Sequence, residues 1–288
     1  MKVLILGAGG LTGRYLVREC KRRGMEAVAY TKQELDISKP DIARDTLAKE
    51  KPELVINSAS LTSLEICEGN PVLSRKVNCE APEEWAKECG RDGARFVHLS
   101  TDYIFDGKKS AAYLPGDLAS PLSRYGKDKA EGEKRVLRAN PHALVVRLAW
   151  VFGHGGKTFM SQLPGILAEK KVVELAGGRT GSCTYAGEAS RIIFDLAEKR
   201  AEGIFHGVQA GQTTWKQFAE KAIKLMRAGG RRVTCEEVRE LPLDKVPGLL
   251  VPRPPFSPLN ISETERVLGR TIPQWEKGLA EYLKEIGW

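Results

Sequence analysis

Short apolar runs alternate with longer amphipathic stretches through the first half of the chain. KVLIL (2–6) precedes LTGRYLVRECKRRG (11–24), which has helical spacing and ends at Gly24, a C-terminal stop. EAVAY (26–30) follows, then SKPDIARDTLAKEKP, where Ser38 and Pro40 signal a helix start. Next come LVINSA (54–59), a helix near 71–89, FVHLS (96–100), a helix containing residues 124–134, and ALVVRLAW (143–150). Runs that are apolar throughout, rather than alternating, predict strands covered on both faces. Alternation of such strands with helices predicts a parallel, doubly wound α/β sheet.

After residue 150 the rhythm loosens. A glycine-rich passage GHGGKTF (153–159) leads to short strands such as GIFHGV (203–208) and a helix from TTWKQFAEKAIKLM. A proline-dense loop (246–260) precedes Ser262 and Glu265, which have capping-box spacing, and a closing helix from about Pro273. The expected division is a nucleotide-binding domain over 1–152 and a smaller substrate-binding domain over 153–288, with some later segments returning to the main sheet.

Glycines sharpen this picture. Gly7, Gly10 and Gly13 fall between the first strand and the first helix in LILGAGGLTG, with Leu11 and Thr12 between them. Such a turn lets the backbone approach a pyrophosphate and offers it the N–H groups of a helix N-terminus. Position 12 is Thr, so the pattern is GxxGxxG rather than GxGxxG, the spacing of extended short-chain dehydrogenases/reductases. At the end of the second strand, Thr31 and Lys32 stand where a carboxylate would select NADH, and no acid follows until Glu34. That favours NADPH, with NADH as the alternative. Asp36 and Ile37 are candidates to flank the adenine.

Tyr125 and Lys129 lie four residues apart in RYGKDKAEGEK (124–134), on one face of the predicted helix, whereas Lys127 faces elsewhere. Taken alone, the pair reads as an ordinary surface tyrosine and lysine. Beside a nicotinamide cofactor it gains chemistry: a nearby ammonium stabilises a phenolate and lowers the phenol pKa from about 10. Thr101 ends the apolar run FVHLS, where ligands bind in such sheets, so its hydroxyl can hold a substrate oxygen. The plainer reading makes Thr101 a cap and Asp102 a turn residue.

Charge and cysteine usage change little. The 45 basic and 37 acidic residues leave +8, spread in small groups such as KRR (21–23), which reads as solvated helix faces rather than a nucleic-acid stripe. Six cysteines without a CxxC pair, and four scattered histidines, give no zinc pattern and suit free thiols in a reducing cytosol. No apolar run approaches membrane-spanning length, and a cytoplasmic protein without a membrane partner is expected.

These motifs identify a resemblance. GAGGLTG, LDIS, PELVINSAS, STDYIFDG, YGKDKAEGE, RLAWVFGHGGKTF, FHGVQAGQTTWKQFA and the RPPFSPLN loop are together similar to the dTDP-4-dehydrorhamnose reductase family, nearly end to end. The resemblance implies a Rossmann-type domain with a small C-terminal substrate-binding domain. It implies Thr101, Tyr125 and Lys129 as the catalytic set, with Asp102, Trp150 and Arg253 at the deoxysugar nucleotide. Ser58, Ala59, Ser60 and Leu61 match the loop beside the cofactor. The implied activity is NADPH-dependent reduction of a 4-keto group on a nucleotide-linked 6-deoxyhexose, with a homodimer as the assembly. Some members bind a metal through glutamates at a dimer interface; these residues are not placed in this sequence, and no metal is expected.

Departures bear on the substrate. The family's VDKAE is LEICE here (64–68), its RxSW is RLAW, so Ala149 lacks a hydroxyl, and SCTYAGE (182–188) replaces a proline-containing segment. Dehydration is disfavoured, and two other functions stay open. A 4,6-dehydratase of this fold carries Asp–Glu after the threonine, where this chain has Asp102–Tyr103. An epimerase uses a similar Tyr–Lys pair. The regulatory subunit of methionine adenosyltransferase resembles the same family without its reaction.

Overall fold

The computed structural model describes residues 1–242, 245–246 and 250–288. Residues 247–249 of the proline-dense loop lie outside the described residues. The first half alternates β1 (Lys2–Leu6), α1 (Leu11–Arg22), β2 (Glu26–Tyr30), α2 (Ile42–Glu50) and β3 (Leu54–Asn57). It continues through α3 (Leu64–Gly69), α4 (Pro71–Arg75), a π turn (Lys76–Glu80) and α5 (Ala81–Asp92). β4 (Arg95–Thr101), a 3-10 turn (Asp102–Ile104), α6 (Arg124–Ala139) and β5 (Leu144–Leu148) complete it.

The second half begins with β6 (Val151–Phe152), α7 (Phe159–Glu169), β7 (Val172–Ala176), β8 (Thr180–Gly181) and β9 (Thr184–Tyr185). α8 (Ala186–Glu198), β10 (Gly203–His206), α9 (Trp215–Ala228) and β11 (Glu237–Leu241) follow. It closes with β12 (Phe256–Ser257), α10 (Ser262–Leu268) and α11 (Trp275–Glu285).

The main sheet is parallel, in the order β10-β5-β4-β3-β1-β2. The order reverses between β1 and β3, and ligands bind outside the strand ends at such a switch point. Alternate residues serve opposite faces of each strand. Val3, Ile5, Leu54 and Ile56 join the core under α8 and α10, whereas Leu4, Leu6 and Val55 join that of α2, α5 and α6. β10, α8 and α10 thus return to the sheet from the second half of the chain. The rest of that half builds a core around Phe152, Leu163, Leu175, Phe218 and Leu279. No helix among the described residues is long and apolar enough to cross a membrane.

Two local signals resolve differently from expectation. α2 starts at Ile42 with Asp41 as its cap, because the Ser38 hydroxyl donates to the Asp36 carboxylate (2.7 Å) instead. Ser262 and Glu265 form no capping box: Ser262 is already the first helical residue, and Glu265 accepts from the Ile272 N–H (2.7 Å). The capping box belongs to Thr214 and Gln217, at the start of α9.

Candidate active site

The β1–α1 turn has the build of a phosphate cradle. Gly7 sits at φ +78°, and a Cβ there would lie 2.7 Å from the Ala59 backbone. The first turn of α1 carries no side-chain cap and no acidic residue, so its N–H groups face outward unneutralised. Gly13 permits close packing, since an added Cβ would meet the Gly7 carbonyl oxygen at 2.2 Å. Gly13→Ala is therefore expected to cost about 1–3 kcal/mol, read as a lowered unfolding midpoint. An unchanged midpoint would show that the turn yields without cost.

Thr31 and Lys32 directly follow β2, and Glu34 comes back to the same strand end. The Glu34 carboxylate folds back to accept from both the Thr31 N–H and hydroxyl, each at 2.8 Å. Asp36 is engaged by Ser38, and the Ile37 side chain is buried in the α2–α5 core.

A cavity of about 520 Å³ opens at the C-terminal ends of the strands. Gly10, Leu11, Thr12 and Gly13 line it, with Ser58 and Ser60 from the loop after β3. Thr101, Asp102, Tyr125 and Lys129 line it too, as do Trp150 and Arg253. Gly7, Ala59 and Leu61 support the wall without lining it; Leu61 is tied to Asn78 through both backbone groups (3.0 and 2.9 Å). A smaller cleft of about 210 Å³ lies at the opposite, N-terminal strand ends, where this topology does not place ligands.

Thr101 ends β4 and does cap the next turn, accepting from the Tyr103 N–H at 3.2 Å. Asp102 is buried, accepting from the Ser257 hydroxyl (2.7 Å) and the Thr101 hydroxyl (3.2 Å). Burial pushes its carboxyl up to about 6, against the opposing pull of Ser257 and the Arg179 charge. An acid whose pKa is higher folded than unfolded binds its proton more tightly when folded. Its contribution to stability is thus lost as pH rises from about 4 to about 6. The stability of Asp102→Asn relative to wild type is expected to improve across that window and flatten above it, measured by urea unfolding at several pH values. A difference independent of pH would place the titration elsewhere.

Tyr125 is the second residue of α6, whose N-cap Ser123 accepts from the Gly126 N–H (3.2 Å). Gly126 allows the helix to touch the 3-10 turn: a Cβ would lie 2.2 Å from the Tyr103 oxygen. The Tyr125 ring packs edge-on to Tyr103 (6.0 Å) and against Leu64 and Val251. One turn on, Lys129 is buried, while Lys127 is exposed.

The expected lowering of the Tyr125 pKa by Lys129 is not what the geometry gives. Burial, with the Asp102 charge, holds the phenol above its ordinary value, while the Thr101 and Ser60 hydroxyls pull the other way. The Lys129 amine points instead at the Leu99 carbonyl (2.5 Å) and His98 Nε2 (3.0 Å), and burial lowers it to about 8.

The far wall contains residues the sequence reading did not single out. Trp215 stacks on Phe159 (4.8 Å) and meets Trp150 edge-on (6.1 Å). Trp150 sits at φ +41°, a conformation costly for a bulky side chain, and its ring fills the space a Gly181 Cβ would need. The Arg179 guanidinium lies over the rings of Tyr103, Trp150 and Trp215 at 5.4–5.8 Å. Arg253 forms an ion pair with Glu65 (3.0 Å), the residue that replaces the family's Asp. Ala149 packs with Ile104 and Phe105, so its missing hydroxyl falls in an apolar cluster. In the departing segment 182–188, the Ser182 hydroxyl accepts from the Leu259 N–H and Glu188 pairs with Arg191 and Arg270, which are structural contacts.

A doubly wound sheet with a glycine turn, a strand-end threonine and a Tyr–Lys helix at one cavity has the plan of the extended short-chain dehydrogenases/reductases. Within that class, the chain belongs to the RmlD substrate binding domain family, whose profile matches residues 1–287. The spore coat polysaccharide biosynthesis protein SpsK of Bacillus subtilis is 32% identical over 99% of this chain and 97% of its own. The dTDP-4-dehydrorhamnose reductase of Clostridium acetobutylicum superposes with a TM-score of 0.92 at 28% identity, covering both chains completely. That of Bacillus anthracis, solved in complex with NADP, gives a TM-score of 0.90 at 25% identity over 99% of each chain.

Proposed function

We propose that this protein reduces the 4-keto group of a nucleotide-linked 6-deoxyhexose with NADPH, dTDP-4-dehydrorhamnose being the substrate of first choice. The observation that carries the reading is the placement of a buried, protonated Tyr125 beside Thr101, in the cavity that also holds the α1 N-terminus. The family and the reductase names of its structural neighbours support it.

The cradle residues fit the cofactor. Gly10, Leu11, Thr12 and Gly13 would receive its phosphates, and the loop through Ser58 and Ser60 would run beside it. Lys32 suits a 2′-phosphate, whereas Glu34 on Thr31 suits a free ribose hydroxyl and leaves NADH as the alternative. When bound, NADPH supplies the hydride. In the reducing direction Tyr125 acts as the acid, so a raised pKa keeps its proton in place until the keto oxygen needs it. Thr101 holds that oxygen, and Lys129 compensates the phenolate as the proton leaves. Asp102, Trp150 and Arg253 contact the deoxysugar nucleotide, with residues 1–152 serving mainly the cofactor and 153–288 mainly the substrate. A cytoplasmic homodimer accompanies this reading.

Tyr103 disfavours dehydration, because its hydroxyl is engaged with Arg179 (3.3 Å) where a dehydratase needs a second carboxyl. The test is NADPH consumption across a panel of 4-keto sugar nucleotides. Turnover with dTDP-4-dehydrorhamnose and release of NADP⁺ is expected. Binding of every substrate without consumption would favour a non-catalytic subunit of the same fold.

A further inference from the structure

Two buried polar residues beneath α6 have no part in the reaction as described so far. Asn57 ends β3, His98 lies opposite it on β4, and both are fully buried on the face that α6 covers. Lys129 reaches down from α6 to the same spot. Their hydrogen bonds run in one direction. The Ala59 N–H donates to Asn57 Oδ1 (3.1 Å), which fixes the amide with Nδ2 toward His98 Nδ1 at 3.3 Å. Nδ1 must then accept, so the single proton of the neutral imidazole lies on Nε2. That N–H faces Lys129 Nζ at 3.0 Å. An ammonium would set N–H against N–H. An amine instead accepts from Nε2–H with its lone pair and donates to the Leu99 carbonyl.

We infer that Asn57 and His98 are positioning residues that fix an N–H donor on Lys129 and favour its uncharged amine, so that charging Lys129 is coupled to the tautomer of His98. Burial acts in the same sense on both groups, keeping His98 neutral and lowering Lys129. The groups around Lys129 are His98 from β4, Glu133 from α6 and Cys79 from the π turn, and Tyr125 lines the same cavity. No carboxylate stands within ion-pair distance of Lys129 among the described residues, and Glu133 is committed to Arg147 (2.7 Å). Charging Lys129 requires the imidazole to exchange tautomers. Asn57 cannot follow without releasing the Ala59 N–H, so the charge is coupled to the loop that lines the cavity through Ser58 and Ser60. The consequence for turnover rests on the reductase reading; the wiring itself does not.

The test uses the full chain labelled with ¹⁵N and with ¹³Cε-lysine, observed by NMR without substrate. Lys129 is expected to titrate near pH 8 while exposed lysines stay charged to about pH 10, with His98 in the Nε2–H form above that midpoint and in the Nδ1–H form below it. In Asn57→Asp, one carboxylate oxygen accepts from Ala59 and the other from His98 Nδ1–H. The ring should then switch tautomer, and the Lys129 midpoint should rise by about one pH unit, a tenfold change in its proton affinity. The pH midpoint of kcat should move with it while KM for NADPH stays within about twofold. A wild-type ring still in the Nδ1–H form at pH 9, or a Lys129 charged through pH 9, overturns the inference, and this measurement decides even if Asn57→Asp fails to fold. The predicted tautomer without any turnover would remove the reductase reading and leave the wiring intact; turnover with the opposite tautomer would do the reverse.

Discussion

Tyr125→Phe is expected to lower NADPH oxidation with dTDP-4-dehydrorhamnose by about 10²–10⁴-fold, the range that a positioned general acid contributes. The variant keeps the ring and its packing on Tyr103, Leu64 and Val251, so the fold and the cofactor cradle remain intact. Only the hydroxyl beside Thr101 and Ser60 is lost. NADPH binding, followed by fluorescence titration, is therefore expected to stay close to wild type. A variant that retains turnover within tenfold would show that another group delivers the proton. Lost turnover with lost cofactor affinity would point to damage at the cradle rather than to chemistry.

The second large effect concerns stability. Glu133→Gln is expected to destabilise the protein by about 3–5 kcal/mol, because it leaves the buried Arg147 guanidinium without its counter-charge. The two side chains are each 4% exposed and meet at 2.7 Å, and Arg147 also donates to the Pro115 carbonyl (2.9 Å) and lies over the Phe105 ring (5.3 Å). The pair ties α6, the helix carrying Tyr125 and Lys129, to β5. A fall in the urea midpoint should appear together with reduced turnover. A loss below about 1 kcal/mol would mean that the site behaves as an exposed ion pair.

Glu133 also shows where the sequence stops being legible. In RYGKDKAEGEK it is one charge among many on a helix with a wet face, and nothing local distinguishes it from Glu131, which pairs near the surface with Arg135. The difference is set by the sheet underneath. β3, β4 and β5 read as continuous apolar runs, which correctly gave strands covered on both faces. Yet Asn57, His98 and Arg147 interrupt them at alternate positions on one face, and those interruptions marked a polar layer under α6. Strand alternation was the signal available for His98, and the overall apolarity of FVHLS hid it.

The glycine turn, Thr101, Tyr125 and Lys129 were readable because each is a short pattern at a defined point of a strand–helix unit. The far wall was not, since Trp215, Phe159 and Arg179 come from separate elements of the second half and meet only in three dimensions. Glu34 is intermediate. It is three residues past Thr31, and only the fold-back onto the Thr31 N–H and hydroxyl returns its carboxylate to the end of β2. Capping signals misled for the opposite reason. Ser262 and Glu265 have the right spacing, but Glu265 finds a tertiary partner in Ile272 and the local box never forms.

The most direct test of the central claim follows the hydride itself. Protein incubated with dTDP-4-dehydrorhamnose and NADPH deuterated at nicotinamide C4 is predicted to yield a deoxyhexose carrying deuterium at C4, with one NADP⁺ released per sugar. Deuterium absent from C4 while both ligands bind, or a changed sugar with no net NADPH consumed, would contradict it.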